Sequence, residues 1–230
     1  MKTLGLIGGI GPESTIEYYR LLVAGYRDKA NGEYPRVIIN SIDLSRLIRW
    51  INAGELDQIA EYCSFEIAKL ESAGADFAAL CSNTPHIVFD QIQERTSLPL
   101  ISIVESAREK VQTLGLKTVG LFGTRFTMQG SFYPTVFARA GIKLVTPAPD
   151  EQQFIHDKYM NELLNNQFLP QTRDQLLAIV DQLKGREDVE AIILGGTELP
   201  LLLRDESHNG VSLLDTARIH VDALLRELLS

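Results

Sequence analysis

Short apolar runs recur along this chain, and stretches with helical periodicity separate them. The runs are rich in β-branched residues and leucine and do not alternate with polar residues, which is typical of strands that are covered on both faces. The eight predicted strands are Thr3–Ile7, Arg36–Asn40, Phe77–Cys81, Leu98–Val104, Thr118–Phe122, Ile142–Val145, Ala191–Leu194 and Val211–Leu214. Alternation of strands with helices predicts an α/β fold with parallel sheets.

Two of the intervening stretches carry apolar stripes at spacings of three and four residues. The first stripe consists of Leu56, Ile59, Cys63, Ile67 and Leu70. The second stripe consists of Ile16, Tyr19, Val23 and Tyr26, after a proline at position 12 that suits a first helical turn. Each stripe predicts an amphipathic helix whose apolar side faces a core.

Three segments of the first half return in the second half, in the same order and 110 to 115 residues later. The pairs are Lys2–Gly8 with Lys117–Gly123, Ala78–Thr84 with Ile192–Glu198, and Ser102–Arg108 with Ser212–Arg218. The period is far longer than the roughly 20 to 50 residues of a solenoid repeat. The duplication predicts two similar α/β halves with a cleft between them. We expect a first domain of residues 1–98 plus about 215–230, and a second domain of residues 99–214.

Composition and charge exclude several classes of protein. The 230 residues are 45% hydrophobic and 23% charged, as in ordinary globular proteins, and can form two cores. A net charge of −8 argues against nucleic acid or an anionic membrane as the main partner. No apolar run approaches the roughly 20 residues of a membrane span, and no signal-peptide pattern is present. The two cysteines form no disulfide framework, so a cytoplasmic location is expected.

In parallel sheets, ligands bind where the strands end and the following helices begin. Four loops rich in glycine or polar residues lie at such places: Gly8–Gly11, Ser82–His86, Gly123–Thr127 and Gly196–Pro200. We expect these loops to converge on one cleft and to hold a small molecule.

The first loop, Gly8–Gly11, has two interpretations. Its backbone amides could bind an anionic group at the start of a helix, or its glycines could simply permit a tight turn. Gly9 and Gly11, with Asp43 after the next strand, also suggest a dinucleotide site. However, Ser14 stands where the third glycine of that fingerprint belongs.

The next two loops also allow a binding role and a structural one. Asn83 and Thr84 offer donors and acceptors to a ligand, or else cap the next helix. Thr124 and Thr127 could bind a carboxylate through their hydroxyl groups, or cap a helix. His86 is either a base or a structural histidine. The histidines and cysteines show no metal-ligand spacing, so no metal site is predicted.

Four further side chains, three acidic and one thiol, also have a structural interpretation beside a functional one. Alternation along the strand points Cys81 away from the face that Ser82 presents, which favours a small buried hydrophobe. Glu105 and Asp215 stand at predicted helix starts, where an acid is favourable for electrostatic reasons alone. Glu198 could be an acid or base, a partner for an ammonium group, or a helix cap.

Five segments together resemble the aspartate/glutamate racemase family over nearly the whole chain. They are Lys2–Thr15 (KTLGLIGGIGPEST), Leu80–His86 (LCSNTPH), Leu121–Met128 (LFGTRFTM), Ile193–Pro200 (ILGGTELP) and Leu213–His220 (LLDTARIH). The resemblance implies two pseudo-symmetric domains with central parallel sheets flanked by helices and an active site in the inter-domain cleft. It also implies cofactor-independent racemisation and a homodimer. In the family, a cysteine from each half lies on one face of the substrate's α-carbon. One cysteine removes the α-proton as a thiolate, and the other returns a proton from the opposite face.

This sequence departs from the family at both cysteine positions. Ser82 occupies the first and Gly196 the second. A serine hydroxyl is a poor base unless it is activated, and glycine has no side chain at all. Two-thiol racemisation is therefore not expected. The resemblance leaves Ser82 and Gly196 at the catalytic positions, with Cys81, Thr197 or Glu198 as possible helpers.

The substrate contacts that the resemblance implies are retained. They are Gly9, Ile10, Asn83, Thr84, Thr124, Thr127 and Thr197. The leading hypothesis is a racemase acting at the α-carbon of an acidic amino acid or a related small carboxylate, without a cofactor. The alternatives are a catalytically impaired homologue that binds such a ligand, and a nucleotide-binding oxidoreductase.

Overall fold

A computed structural model describes residues 2–230 and divides into two compact units. Of the described residues, the first unit contains 2–103 and also Ala217–Ser230. The second unit is Val104–Thr216.

Strands and helices alternate along the chain in both units. The strands are β1 (Thr3–Gly8), β2 (Arg36–Ser41), β3 (Phe77–Leu80), β4 (Thr118–Gly123), β5 (Lys143–Val145), β6 (Ala191–Gly195), β7 (Ser207–His208) and β8 (Val211–Asp215). The helices are α1 (Pro12–Lys29), α2 (Leu44–Ala53), α3 (Leu56–Ser72), α4 (Phe89–Glu94), α5 (Ile103–Thr113), α6 (Arg125–Gln129), α7 (Phe132–Ala138), α8 (Pro149–Asn161), α9 (Pro170–Glu187), α10 (Leu199–Leu202) and α11 (Thr216–Leu228). Two 3₁₀ turns lie at Thr84–Val88 and Leu163–Asn165.

The first unit is a three-stranded parallel sheet in the order β2-β1-β3. Alternate residues of its strands enter two separate apolar clusters, one on each face. On one side, Ile7 and Leu80 join a cluster with α3 and α4. On the other, Leu6 and Cys81 join a cluster with α1 and α11. The end of the chain therefore completes the core of the first unit.

The second unit is a five-stranded sheet in the order β5-β4-β6-β8-β7. Strands β4, β5, β6 and β8 are parallel, whereas the short β7 pairs antiparallel with β8. One large apolar cluster joins Ile192 and Leu194 of β6 to residues of α8 and α9, including Ile155, Tyr159 and Val180. Antiparallel β7 was not predicted, since two residues give no periodicity to detect.

Seven of the eight predicted strands are confirmed to within one residue at each end. The prediction for Leu98–Val104 was wrong, because this segment forms only an isolated bridge between Ala78 and Leu100. Pro99 has no N–H to donate, and the chain already enters α5 at Ile103. The prediction relied on the apolar run and did not take into account that a proline limits strand pairing.

The prediction for the α3 stripe is confirmed. The predicted helix after Pro12 is also confirmed as α1, but most of its predicted buried stripe was wrong. Ile16 and Tyr19 are 62% and 50% exposed. The buried face of α1 carries Tyr18 and Leu22 together with Tyr26, which is the one residue of the predicted stripe that is buried. Both faces contain apolar residues at helical spacing. Packing against α11, which comes from the far end of the chain, decides which face is buried.

Strand β2 also departs from prediction, because it is not covered on both faces. It lies at the edge of the first unit's sheet, and Ile39 is 40% exposed.

Among residues 2–230, no helix has the length and hydrophobicity needed to cross a membrane.

Candidate functional site

The glycine turn after β1 is shaped by close backbone contacts. A Cβ at Gly9, which has φ +80°, would lie 2.5 Å from the carbonyl oxygen of Ile42. A Cβ at Gly8 would lie 2.5 Å from Cγ2 of Thr15 on α1. The Gly9 N–H donates to Oγ1 of Thr15 at 2.9 Å. Close approach and a left-handed backbone thus both require glycine at position 9. Ile10, at the same turn, is buried.

Asp43, the residue that suggested a dinucleotide site, has a local structural role. It is the N-cap of α2, and its carboxylate accepts a hydrogen bond from the Ser45 N–H at 2.8 Å. Ser14, in the place of the third glycine, donates its hydroxyl hydrogen bond to the Gly11 carbonyl at 2.7 Å. Asp43 therefore acts as a helix cap, and Ser14 bonds to the preceding turn. Neither side chain supports the nucleotide-binding interpretation.

The loop after β3 buries several polar side chains directly after an apolar strand. Ser82 and Asn83 are buried, and Thr84 is half-buried at the start of a 3₁₀ turn. Cys81 lies wholly within the apolar cluster that includes α1 and α11. Burial raises the pKa of the Cys81 thiol, which disfavours the thiolate that base catalysis would need. A base role for Cys81 is therefore not proposed.

His86 holds this loop in place as a neutral side chain. Its Nδ1–H donates to the Ser82 carbonyl at 2.9 Å, and its Nε2 accepts from the Ile103 N–H at 3.3 Å. The ring stacks on Phe89 with centroids 4.9 Å apart. Burial, and then the neighbouring His220, lower the pKa of His86 to about 3. Of the two roles that the sequence allows for His86, base or structural residue, these contacts support the structural one.

In the second unit, the loop after β4 carries the two threonines. Thr124 is the N-cap of α6, and its Oγ1 accepts from the Thr127 N–H at 3.3 Å. The two hydroxyl oxygens are 3.2 Å apart, and both side chains are buried. His156 of α8 reaches this loop, where its Nδ1 accepts from the Arg125 N–H at 3.2 Å. Burial and the Arg125 charge lower the pKa of His156.

The loop after β6 contains a buried cluster of oxygen atoms. The Tyr159 hydroxyl, from α8, donates to Oε2 of Glu198. The Thr197 hydroxyl donates to the same oxygen at 3.1 Å. All three side chains are at most 5% exposed. Burial and the Glu198 charge raise the pKa of Tyr159 well above its usual value, so the phenol stays protonated at neutral pH.

Tyr159 also occupies the space beside Gly196. A Cβ added at Gly196 would overlap the edge of the Tyr159 ring, with Cζ 3.0 Å and Oη 3.1 Å from it. The side chain that the resemblance expects at position 196 is therefore replaced by a tyrosine ring from α8. Sequence reasoning missed Tyr159, because it lies 39 residues before Glu198 and no local pattern links them.

Within each unit, the structure brings predicted site residues to one edge of the sheet. Strands β1 and β3 are parallel neighbours, so the Gly9 turn and the Ser82–Thr84 loop both lie at the carboxyl edge of the first sheet. Strands β4 and β6 are also parallel neighbours. A Cβ at Gly195 would lie 3.1 Å from Cγ2 of Thr127, so the two loops of the second unit touch.

The two acidic residues predicted at helix starts, Glu105 and Asp215, lie at the beginnings of α5 and α11. Glu105 lies in the first turn of α5 and forms ion pairs with Arg108 at 2.8 Å and Arg139 at 3.7 Å. Asp215 ends β8, and the next residue, Thr216, donates its hydroxyl hydrogen bond to the Leu194 carbonyl at 2.7 Å. From residue 2 to residue 230, His, Cys, Asp and Glu form no group of three or more able to hold a metal ion.

Known proteins resemble this chain across both units. The sequence model of the family described as Asp/Glu/hydantoin racemase matches residues 7–224. The broad specificity amino-acid racemase RacX from Bacillus subtilis is 27% identical over 200 residues, which cover 82% of this chain and 75% of RacX. A candidate Asp/Glu racemase from Yersinia pestis has a TM-score of 0.89 at 30% identity, with all of both chains covered. An aspartate racemase homologue from Pyrococcus horikoshii has a TM-score of 0.84 at 30% identity, again over both whole chains.

Proposed function

The chain belongs to the Asp/Glu/hydantoin racemase family, and on that premise we propose that it inverts the α-carbon of an acidic amino acid or a related small carboxylate. Membership makes it an isomerase of the amino-acid racemase type. The substrate class is our proposal. We also expect, from the sequence, a cofactor-independent reaction, a homodimer and a cytoplasmic location.

One observation carries the proposal: both units bury polar side chains at the carboxyl ends of neighbouring parallel strands. Asn83 follows β3 in the first unit, while Thr124 and Thr127 follow β4 in the second unit. Amide and hydroxyl groups are the donors that a substrate carboxylate needs, and they stabilise the enolate-like charge that develops when the α-proton leaves. Burial strengthens these hydrogen bonds, because less water competes for them.

Racemisation also needs groups that remove and return a proton, and neither unit carries a thiol at its expected position. Ser82 has a hydroxyl there, and Gly196 has no side chain. Cys81 is unsuited to replace them, because its thiol lies in an apolar cluster. The chemistry must therefore use oxygen acids and bases, which the buried cluster of Tyr159 and Glu198 contains.

Hydrogen–deuterium exchange at the α-carbon tests the proposed function. The protein is incubated in D₂O with each enantiomer of aspartate and glutamate, and with alanine and lysine for comparison, and the α-proton is followed by NMR. We expect the α-proton signal of acidic amino acids to fall fastest, with formation of the opposite enantiomer. No exchange with any of these amino acids would rule out the proposed activity.

A matched pair of variants guards against a contaminating racemase. Thr127→Val removes a buried hydroxyl at the proposed site, and Thr113→Val makes the same change on the exposed side of α5. Removing a hydrogen bond to a charged group costs about 1.5–3 kcal/mol, so Thr127→Val should raise KM roughly tenfold or more. Equal activity in both preparations would point to a contaminant.

The replacement of both cysteines favours a second candidate, a homologue that binds the ligand without turning it over. Thermal-shift measurements with amino acids and dicarboxylates separate the two. Stabilisation by aspartate or glutamate without α-proton exchange supports the binding protein, whereas stabilisation with exchange supports the enzyme.

A further inference from the structure

We propose that Tyr159, paired with Glu198, replaces the missing side chain of Gly196 as the proton-transferring group of the second unit. This inference rests on the proposed racemase function. It assigns a catalytic role to a residue on α8 that no motif in the sequence identifies.

The first argument is position. The Tyr159 hydroxyl oxygen lies 3.1 Å from the point where a Cβ at position 196 would stand. A side-chain donor at 196 would begin at that Cβ and extend by one further bond, so the phenol oxygen lies in the region such a donor would reach. The ring edge itself excludes any side chain at position 196. Glycine at 196 and tyrosine at 159 thus fit each other as a pair.

The second argument is the hydrogen-bond partner. The Tyr159 hydroxyl donates to Oε2 of Glu198, and the Thr197 hydroxyl donates to that same oxygen at 3.1 Å. The partner of the Tyr159 hydroxyl is a carboxyl oxygen, which can accept a proton as well as a hydrogen bond. Burying a carboxylate is costly unless hydrogen bonds compensate it, and these two hydroxyl groups provide such hydrogen bonds. Oε2 of Glu198 is therefore an acceptor that lies directly behind the phenol.

The proton transfer that this pair supports is a relay. The α-proton of the substrate moves to Oη of Tyr159, and the hydroxyl proton of Tyr159 moves at the same time to Oε2 of Glu198. The C–H electron pair stays on the α-carbon, whose charge the carboxylate-binding groups stabilise. Tyr159 is neutral before and after the step, and Glu198 changes from carboxylate to carboxylic acid. Inversion requires that a different group protonate the opposite face of the α-carbon. For the other enantiomer, that group removes the α-proton, and the reverse relay delivers a proton from Oη of Tyr159.

Neutral tyrosine suits this relay better than a free phenolate base. Burial and the Glu198 charge favour the protonated phenol, so a phenolate would form only at high pH. A relay avoids the phenolate, because each proton that arrives at Oη is matched by one that leaves. Positioned proton transfer of this kind contributes roughly 10²- to 10⁴-fold to a rate.

Removal of the hydroxyl alone tests the assignment. Tyr159→Phe keeps the ring beside Gly196, so the fold is preserved while the relay is broken. We expect the α-proton exchange rate to fall at least about 100-fold, with little change in KM. Glu198→Gln keeps a hydrogen-bond acceptor but cannot take the proton, and should cause a similar fall in kcat. Circular dichroism and thermal unfolding check that each variant is folded.

Tyr133→Phe is the matched control. It removes another buried phenol hydroxyl from the second unit, on α7, which packs beside β5. We expect this variant to keep the wild-type exchange rate. If Tyr159→Phe also keeps that rate, Tyr159 does not transfer the proton and the inference is overturned, while the racemase function stands.

Failure of the proposed function has a different signature. If the wild-type protein exchanges no α-proton, both the function and the inference are rejected before any variant is made. A rescue variant adds a positive test. Gly196→Cys combined with Tyr159→Ala has room for a thiol and restores a donor, so it should exchange the α-proton faster than Tyr159→Ala alone. A rescue variant no faster than Tyr159→Ala counts against position 196 as a proton-transfer position.

Discussion

Individual residues in this protein compensate for one another across long sequence separations. Gly196 lacks a side chain, and the Tyr159 ring fills the space beside it. The two residues lie on different elements, β6–α10 and α8, within the same unit. The effect on stability of a substitution at one of these positions should therefore depend on which residue stands at the other.

At this scale we predict that Gly196→Ala destabilises the protein. The new methyl group would overlap the Tyr159 ring edge, and overpacking of a buried site costs about 1–3 kcal/mol. Tyr159→Ala in the same chain should abolish most of that cost, which gives a coupling free energy in a double-mutant cycle measured by urea unfolding. Gly185→Ala in α9 is the control, since nothing lies within 4 Å of its Cβ position. Additive effects of Gly196→Ala and Tyr159→Ala on the free energy of unfolding would contradict the packing argument.

At the scale of elements, turns and caps fix where each strand ends and the next helix begins. The turn from β1 to α1 depends on Gly9, whose φ of +80° and contact with the Ile42 carbonyl both exclude a side chain. Thr124 and Asp43 start α6 and α2 through side-chain hydrogen bonds to backbone N–H groups. These local signals are readable in the sequence, because each acts within a few residues.

We predict that Gly9→Ala destabilises the protein more than Gly32→Ala. Both positions have a left-handed backbone, with φ of +80° and +89°, and alanine pays about 1–2 kcal/mol for that conformation. Gly32 has nothing within 4 Å of its Cβ position, whereas the Cβ at Gly9 would meet a backbone oxygen. Chemical denaturation of the two variants isolates the crowding at Gly9. Equal losses of stability would show that the turn can relax.

At the scale of the whole molecule, the stability of the fold depends on two buried histidines of the first unit. Both bind the backbone of the segment at Ile101–Ile103, where the chain leaves that unit. His220 of α11 accepts a hydrogen bond from the Tyr18 hydroxyl at 2.8 Å and donates to the Ile101 carbonyl at 2.9 Å. His86 accepts from the Ile103 N–H. Burial lowers the pKa of His220 to about 4 and that of His86 to about 3. Both rings are therefore neutral in the folded protein at neutral pH.

These histidines predict a loss of stability in mild acid. In the unfolded chain each ring takes up a proton near its ordinary pKa of 6.5, whereas the folded protein resists protonation until pH 3 to 4. The unfolded state thus binds more protons as pH falls below about 6.5, and each histidine should lower the free energy of unfolding by about 2 kcal/mol by pH 5. Urea unfolding at pH 7.5 and pH 5 measures the loss.

His220→Gln tests the origin of this pH dependence. The variant is less stable at neutral pH, because it alters the hydrogen bonds to Tyr18 and Ile101, but its stability should fall less between pH 7.5 and pH 5. In the wild type, NMR signals of both rings should not titrate between pH 8 and pH 5. A full titration of either ring near pH 6.5 would refute the assignment.

Sequence alone determined the α/β class, seven strands and the polar loops at their ends. Apolar runs, glycine turns and helix caps are local features, so their physical causes lie within a few residues of one another. The duplication also identified the loops worth inspecting, and the residues at 82 and 196 showed that two thiols are absent. That much follows from which residue types stand at which positions.

Only the tertiary structure decided which apolar face of α1 is buried, how far Leu98–Val104 pairs, and what occupies the space at Gly196. Each depends on a partner far away in sequence: α11 for α1, Ala78 for Leu100, and Tyr159 for Gly196. The sequence shows only that position 196 has no side chain. Packing alone shows that a tyrosine and a glutamate, 39 residues apart, meet beside it, because long-range contacts leave no periodic trace in the chain.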